Sequence, residues 1–200
     1  MKNIAGMLKL GCILAIYAAV ACVMLAFVYA GTKKIIDLRD EASQQAALKE
    51  IFPEADSFEL VKDGVASPDL SVSIQSAYIA KRDGTTAGMA LRLSRASYSG
   101  PIVLLVGIGI DKRVTGVKIM EHSDTPGLGA NAASPSYFVD RAKGITFYGQ
   151  FAGKDASDPF EVKGDVVAIT ASTITSRAVS AAVKAAAQAA SEWLSTGGSK

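Results

Sequence analysis

The polarity pattern changes abruptly near residue 31. Leu10 to Gly31, LGCILAIYAAVACVMLAFVYAG, contains no charged residue. As a helix those 22 residues extend ~33 Å, enough for a ~30 Å hydrocarbon core. Tyr29 stands at one end, where an interfacial aromatic is favoured. From Thr32 to Glu50 a loose apolar stripe of Ile35, Ile36, Leu38, Ala42, Ala46 and Leu48 runs between charges. That spacing predicts a helix continuing from the apolar segment, closed by Pro53. Gly64 to Leu70, with Pro68, reads as a surface loop.

Further on, the period is that of strands. Ser76 to Lys81 and Gly88 to Leu93 flank Asp83-Gly84, a hairpin turn signal. Ile102 to Ile110 is an unbroken apolar run, Asp111-Lys112-Arg113 is its turn, and Val114 to Met120 alternates. This second hairpin is expected at the centre of a sheet. Asp140 to Gly164 reads as loop, punctuated by Phe147, Tyr148, Phe151 and Phe160. From Ser176, Val179, Val183, Ala187, Ala190 and Leu194 recur at helical spacing in an alanine-rich segment ended by Gly197-Gly198. The order predicts an α+β domain with a mainly antiparallel sheet and a C-terminal helix, behind a single N-terminal transmembrane helix. The corresponding divisions are 1–31 for tail and anchor, 32–55 for a juxtamembrane helix, and 56–200 for the domain.

A cleaved signal peptide is the rival reading of the apolar segment, with Val28-Tyr29-Ala30 as the cleavage site. The segment is longer than the ~7–15 residues usual there, so a retained anchor is expected. Lys2 and Lys9 flank one side and Lys33, Lys34 and Arg39 the other, so charge does not fix the orientation. Cys12 and Cys22 fall inside the span and read as small apolar fillers.

Composition narrows the chemistry. The 200 residues carry 21 Lys and Arg against 19 Asp and Glu, a formal charge of +2. Nucleic-acid binding through bulk charge is therefore not expected. Two cysteines and one histidine exclude a four-cysteine cluster and a multi-histidine metal site within this chain. Gly107 and Gly109 begin a dinucleotide fingerprint, but Lys112 stands where its third glycine belongs, and there is neither a P-loop nor a Gly-x-Ser-x-Gly elbow. Hydroxyls, backbone amides and a bound cofactor remain.

Three motifs carry candidates. Thr170-Ala171-Ser172-Thr173-Ile174-Thr175-Ser176 places five hydroxyls directly before the last helix. Capping explains such a cluster. So does a phosphate site, since a helix start offers free amides and a positive dipole end. Glu121-His122-Ser123-Asp124-Thr125-Pro126-Gly127-Leu128-Gly129 is a turn whose glycines allow backbone to approach a flat ligand. Phe147 to Lys154, FYGQFAGK, is an aromatic turn over a core edge.

Together these features resemble the FMN-binding domain proteins of ion-translocating respiratory complexes, specifically the G subunit of the Rnf complex. The C subunit of sodium-translocating NADH:quinone oxidoreductase is similar. The matching pieces are Leu10 to Gly31, Pro101 to Met120, His122 to Gly129, Gln150 to Lys154, and Thr170 to Ser176. The resemblance implies FMN attached through its phosphate to a threonine by a phosphoester, at Thr173. Ser172, Thr175 and Ser176 are then expected around the phosphate, and Thr125, Gly127, Leu128 and Gly129 along the flavin ring. Lys154 is a further candidate for contact with phosphate or a ring oxygen.

The resemblance further implies an electron-carrying subunit of a translocase, exchanging electrons between ferredoxin and NAD, and not a stand-alone catalyst. Its expected partners are the other Rnf subunits, a flavin transferase and membrane lipid. Its expected location is a bacterial or archaeal cytoplasmic membrane, with the FMN domain on the extracytoplasmic side. The alternatives are a solitary anchored FMN carrier, the C subunit of the NADH:quinone oxidoreductase, and an anchored binding module without flavin. The sequence departs from the pattern at four places: Ala171 for glycine, Ser172 for alanine, Asp124 for glutamate, and Val167 for aspartate. Asp165 is the candidate to replace that last carboxylate.

Overall fold

The computed structural model describes residues 2–61 and 65–196. The chain divides into two compact units, Met1–Gln45 and Ala46–Lys200. Helix α1 runs Lys2–Ile51. Within the first unit its large apolar residues, such as Leu10, Leu14 and Phe27, are exposed. A helix apolar all round needs an apolar surrounding, and this one is long and apolar enough to cross a membrane. Burial begins only at Ala47 and Leu48, so Ile35, Ile36 and Leu38 of the expected stripe remain exposed.

The second unit is a meander. Strands β1 (Ser57–Val61), β2 (Val72–Arg82), β3 (Thr85–Ala96), β4 (Pro101–Gly109) and β5 (Val114–Glu121) form one sheet in chain order, every neighbouring pair antiparallel. Asp83 and Gly84 close the β2–β3 hairpin with positive φ at both positions, 51° and 75°, which matches the twist of the flanking strands. The β4–β5 hairpin is not central as expected: β3 is the middle strand and β5 an edge. The apolar run of β4 is instead explained by cover on both faces. Strand β5 has one end shielded, where Val114 exchanges backbone hydrogen bonds with Gly153 and Lys154 at 2.8 and 2.9 Å.

One face of the sheet carries helix α2 (Thr173–Ser195), which packs on β3 and β4. Its buried side is Val179, Ala182, Val183, Ala186, Ala187 and Ala190, against Leu91, Leu93, Leu104, Val106 and Ile108. Small residues let the helix lie close to the strands. The other face carries the end of α1, with Leu48, Ile51 and Phe52 meeting Ala80, Ala90 and Leu105. Here Gly107 makes room: a Cβ on it would lie 2.2 Å from Ile51 Cγ2 and 2.8 Å from the Phe52 ring.

Between β5 and α2 the expected loop contains a small ribbon, β6 (Phe138–Asp140) with β7 (Ile145–Thr146). Phe147 and Phe151 follow it, fully buried and edge-to-face with centroids 5.7 Å apart. In the expected 64–70 loop Gly64 lies outside the described residues, as does the Gly197-Gly198 terminator.

Candidate functional site

Three loops at the same end of the sheet enclose a cleft of about 390 Å³. The β3–β4 turn contributes Tyr98, the stretch after β5 contributes Asp124, Thr125, Leu128 and Gly129, and the entry to α2 contributes residues 171–175. The volume falls within the ~300–1,000 Å³ typical of small-ligand sites.

The entry to α2 is set by its backbone. Ala171 adopts φ +59°, the left-handed region that favours glycine. That kink turns the chain into Ser172, which holds the N-cap position without any side-chain capping bond. The capping reading of Ser172 is therefore not realised. Helical bonding begins with Ser176 N donating to Ser172 O at 3.0 Å. The amides of residues 173–175 thus stand free of helical partners.

The hydroxyls of the cluster divide in two. Ser176 is fully buried; its hydroxyl donates to Ser172 O at 2.9 Å and accepts from Ile169 N at 2.9 Å. Thr175 donates to Asp124 Oδ2 at 2.8 Å. These two hold the loop. Ser172 and Thr173 line the cleft, and among the described residues their hydroxyls have no hydrogen-bond partner. Ser172 is buried, whereas Thr173 is half-buried.

The opposite wall is a turn. Leu128 N donates to Thr125 O at 3.1 Å, and Gly127 takes φ +78°. Gly129 has no room for a side chain, since a Cβ would sit 2.6 Å from Thr175 Oγ1 and 2.7 Å from Asp124 Oδ2. Leu128 stands 42 % exposed at the mouth, with Ile174 and Tyr98 also exposed there. Of the residues expected around the phosphate and along the ring, Ser176 lies behind the wall and Gly127 shapes the turn without lining the cleft; Ser172, Thr173, Thr175, Thr125, Leu128 and Gly129 line it.

Asp124 joins all three loops. It is 5 % exposed, and its carboxylate accepts from the Ser97 hydroxyl at 2.7 Å, Ser99 N at 2.9 Å and the Thr175 hydroxyl. Burial alone would raise its pKa. The three hydrogen bonds, with the nearby His122 ring, outweigh that and hold it below its ordinary value. Neither Asp124 nor Tyr98 was assigned to the site from sequence. In the sequence Asp124 stands out only as a departure from the glutamate of the resembling family and Tyr98 belongs to no motif, and only the meeting of the loops gives them another role.

Lys154 lies elsewhere. It pairs with Asp165 at 2.8 Å in a separate depression shared with Gln150 and Asp158. Asp165 also accepts from Glu161 N at 2.6 Å, and so it does not supply a carboxylate to the cleft. Val167 is exposed, and its backbone is held at both ends by the Gln150 amide, at 2.8 and 3.1 Å.

Known proteins match this chain over most of its length. The FMN-binding domain family matches residues 97–188, and the RnfG N-terminal region matches residues 1–51. The G subunit of the ion-translocating oxidoreductase complex of Methanosarcina acetivorans is 33 % identical, over 82 % of this chain and 84 % of its own length. The G subunit of the Na(+)-translocating ferredoxin:NAD(+) oxidoreductase complex of Acetobacterium woodii is also 33 % identical, over 86 % of each chain. Among solved structures, Shewanella oneidensis NqrC has the same fold, with a TM-score of 0.50 at 17 % identity over 74 % of this chain and 88 % of that one.

Proposed function

The chain belongs to the family of G subunits of ion-translocating oxidoreductase complexes of the Rnf type, and on that footing we propose that it carries electrons for a ferredoxin:NAD oxidoreductase on an FMN joined through its phosphate to the Thr173 hydroxyl. Its FMN-binding domain follows an apolar membrane helix. The match of residues 1–51 to the RnfG N-terminal region favours the Rnf assignment over an NqrC-type subunit.

The observation that carries the reading is the Thr173 hydroxyl. It lines the cleft at the first residue of α2, it is half-buried, and it is uncommitted among the described residues. When bound, FMN supplies reversible electron transfer from its ring system. The chain supplies the setting. The free amides of residues 173–175 and the positive end of α2 stabilise a phosphate ester. Ser172 offers a second hydroxyl beside it. Leu128 and Thr125 present an apolar and a polar contact to a flat ring, and Gly129 lets that wall pack directly against Thr175 and Asp124. Thr175 and Ser176 fix the segment from behind.

The proposal puts the domain on the extracytoplasmic side, facing partner subunits at the lipid surface, with a flavin transferase transferring FMN from FAD: the Thr173 oxygen gains the flavin phosphate, the pyrophosphate bond of FAD breaks and AMP leaves. There a covalent bond removes the dissociation equilibrium of a cofactor with no cytoplasmic pool to replace it. Coexpression of the full chain with a flavin transferase tests the attachment, read by intact mass and in-gel fluorescence. The wild type is expected to gain one FMN phosphoryl mass and to fluoresce, and Thr173→Ala to lose both. Fluorescence persisting in that variant moves the ester to another hydroxyl. A wild type without added mass removes the covalent reading.

A further inference from the structure

Two other partly buried carboxylates of this fold have their charge cancelled. Asp165 faces the Lys154 ammonium, and Asp69 faces the Arg95 guanidinium at 3.1 Å. Asp124 is different. It is more buried than either, it lines the cleft, and its three donors are the hydroxyls of Ser97 and Thr175 and the amide of Ser99, all neutral. Among the described residues no lysine or arginine forms a salt bridge with it.

Such an arrangement stabilises a negative charge without neutralising it. Dipoles fix the carboxylate in place and favour its ionised form, yet its field still reaches neighbouring atoms. Burial lengthens that reach, because little water lies between the charge and the cleft to screen it. The exposed His122 contributes a partial counter-field. The opening of α2, whose Thr175 hydroxyl holds the carboxylate, contributes another.

We infer that Asp124 sets the reduction potential of the flavin, holding it low by presenting a fixed negative charge in the wall of the cleft. This rests on the proposed attachment at Thr173. Reduction adds negative charge to whatever occupies the cleft, and a neighbouring carboxylate opposes it. An ionised Asp124 therefore makes the bound group a stronger reductant than the same cleft with a neutral side chain at that position. A purely structural role is the competing account, since an acceptor-only side chain suits three donors.

Spectroelectrochemical titration of the full-length holoprotein at neutral pH separates the two. Asp124→Asn keeps an acceptor and removes the charge; its midpoint potential is expected to rise. Ser97→Ala removes one donor and keeps the charge; its potential is expected not to rise, although both variants lower the melting temperature. Ser97→Lys sets an ammonium beside the intact carboxylate and is expected to raise the potential as Asp124→Asn does. It carries the comparison alone should Asp124→Asn fail to fold. A potential unchanged in the charge-altering variants, or raised equally by Ser97→Ala, overturns the inference and leaves the attachment standing. A wild type whose intact mass shows no FMN sinks both.

Discussion

Thr175 and Asp124, 51 positions apart in the chain, are joined by a buried hydrogen bond of 2.8 Å. It fastens the first turn of α2 to the stretch after β5. The Asp124 carboxylate has a folded-state pKa below its ordinary value of 3.8. A carboxyl depressed on folding contributes stability that is present above its unfolded value and lost as pH falls through the folded one. Acidification below pH 3.8 is therefore expected to destabilise the fold. Asp124→Asn should flatten that acid limb while costing about 1–2 kcal/mol at neutral pH. Urea titrations at several pH values, followed by Trp193 fluorescence, measure both; an unchanged acid limb in the variant contradicts the assignment.

Ala171 holds a left-handed backbone at φ +59°. A Cβ there costs about 1 kcal/mol, which glycine avoids. Ala171→Gly is expected to raise stability by about that amount, less the greater freedom glycine has in the unfolded chain. A lower urea midpoint in the variant would refute this account of the loop.

Gly107 faces Ile51 and Thr115 with no spare space, its added Cβ falling 2.2 and 2.3 Å from their side chains. Gly107→Ala is expected to cost about 1–3 kcal/mol by overpacking. Shortening the opposing side chain in Gly107→Ala/Ile51→Ala should recover part of the loss, so the two changes are expected to be non-additive. Thermal melts of the two single variants and the double variant give the coupling; strict additivity argues that the two residues do not meet.

Lys154 and Asp165 form a half-buried pair away from the cleft. Burial pushes the Asp165 carboxyl up, and the Lys154 hydrogen bond with further partners brings it below its usual value. Lys154→Met is expected to lower stability by about 1 kcal/mol. Its FMN mass gain should match the wild type. Loss of attachment in this variant would return Lys154 to the site.

Local patterns made much of the fold legible. The apolar segment before residue 31, the Asp83-Gly84 turn and the alanine-rich α2 each follow from neighbours in sequence. The edge position of β5 was not legible, because the apolar run of β4 looks the same whether cover comes from more strands or from Leu48, Ile51 and Phe52 on one face and α2 on the other. The same limit applies to the site. The hydroxyl cluster and the Pro-Gly turn stand out as motifs. That Ser176 and Thr175 spend their hydroxyls on the fold, and that Asp124 joins three loops, depends on contacts between segments up to 51 residues apart.

The cleft takes walls from the β3–β4 turn, from the stretch after β5 and from the start of the last helix. The final wall is the last of the three in chain order, and its helix is held by packing on β3 and β4. A truncated or half-assembled polypeptide has no such cleft to present to a modifying enzyme that recognises its assembled shape. On the proposed reading, a flavin on Thr173 then serves as a certificate of maturation, stamped only on chains whose folding is complete.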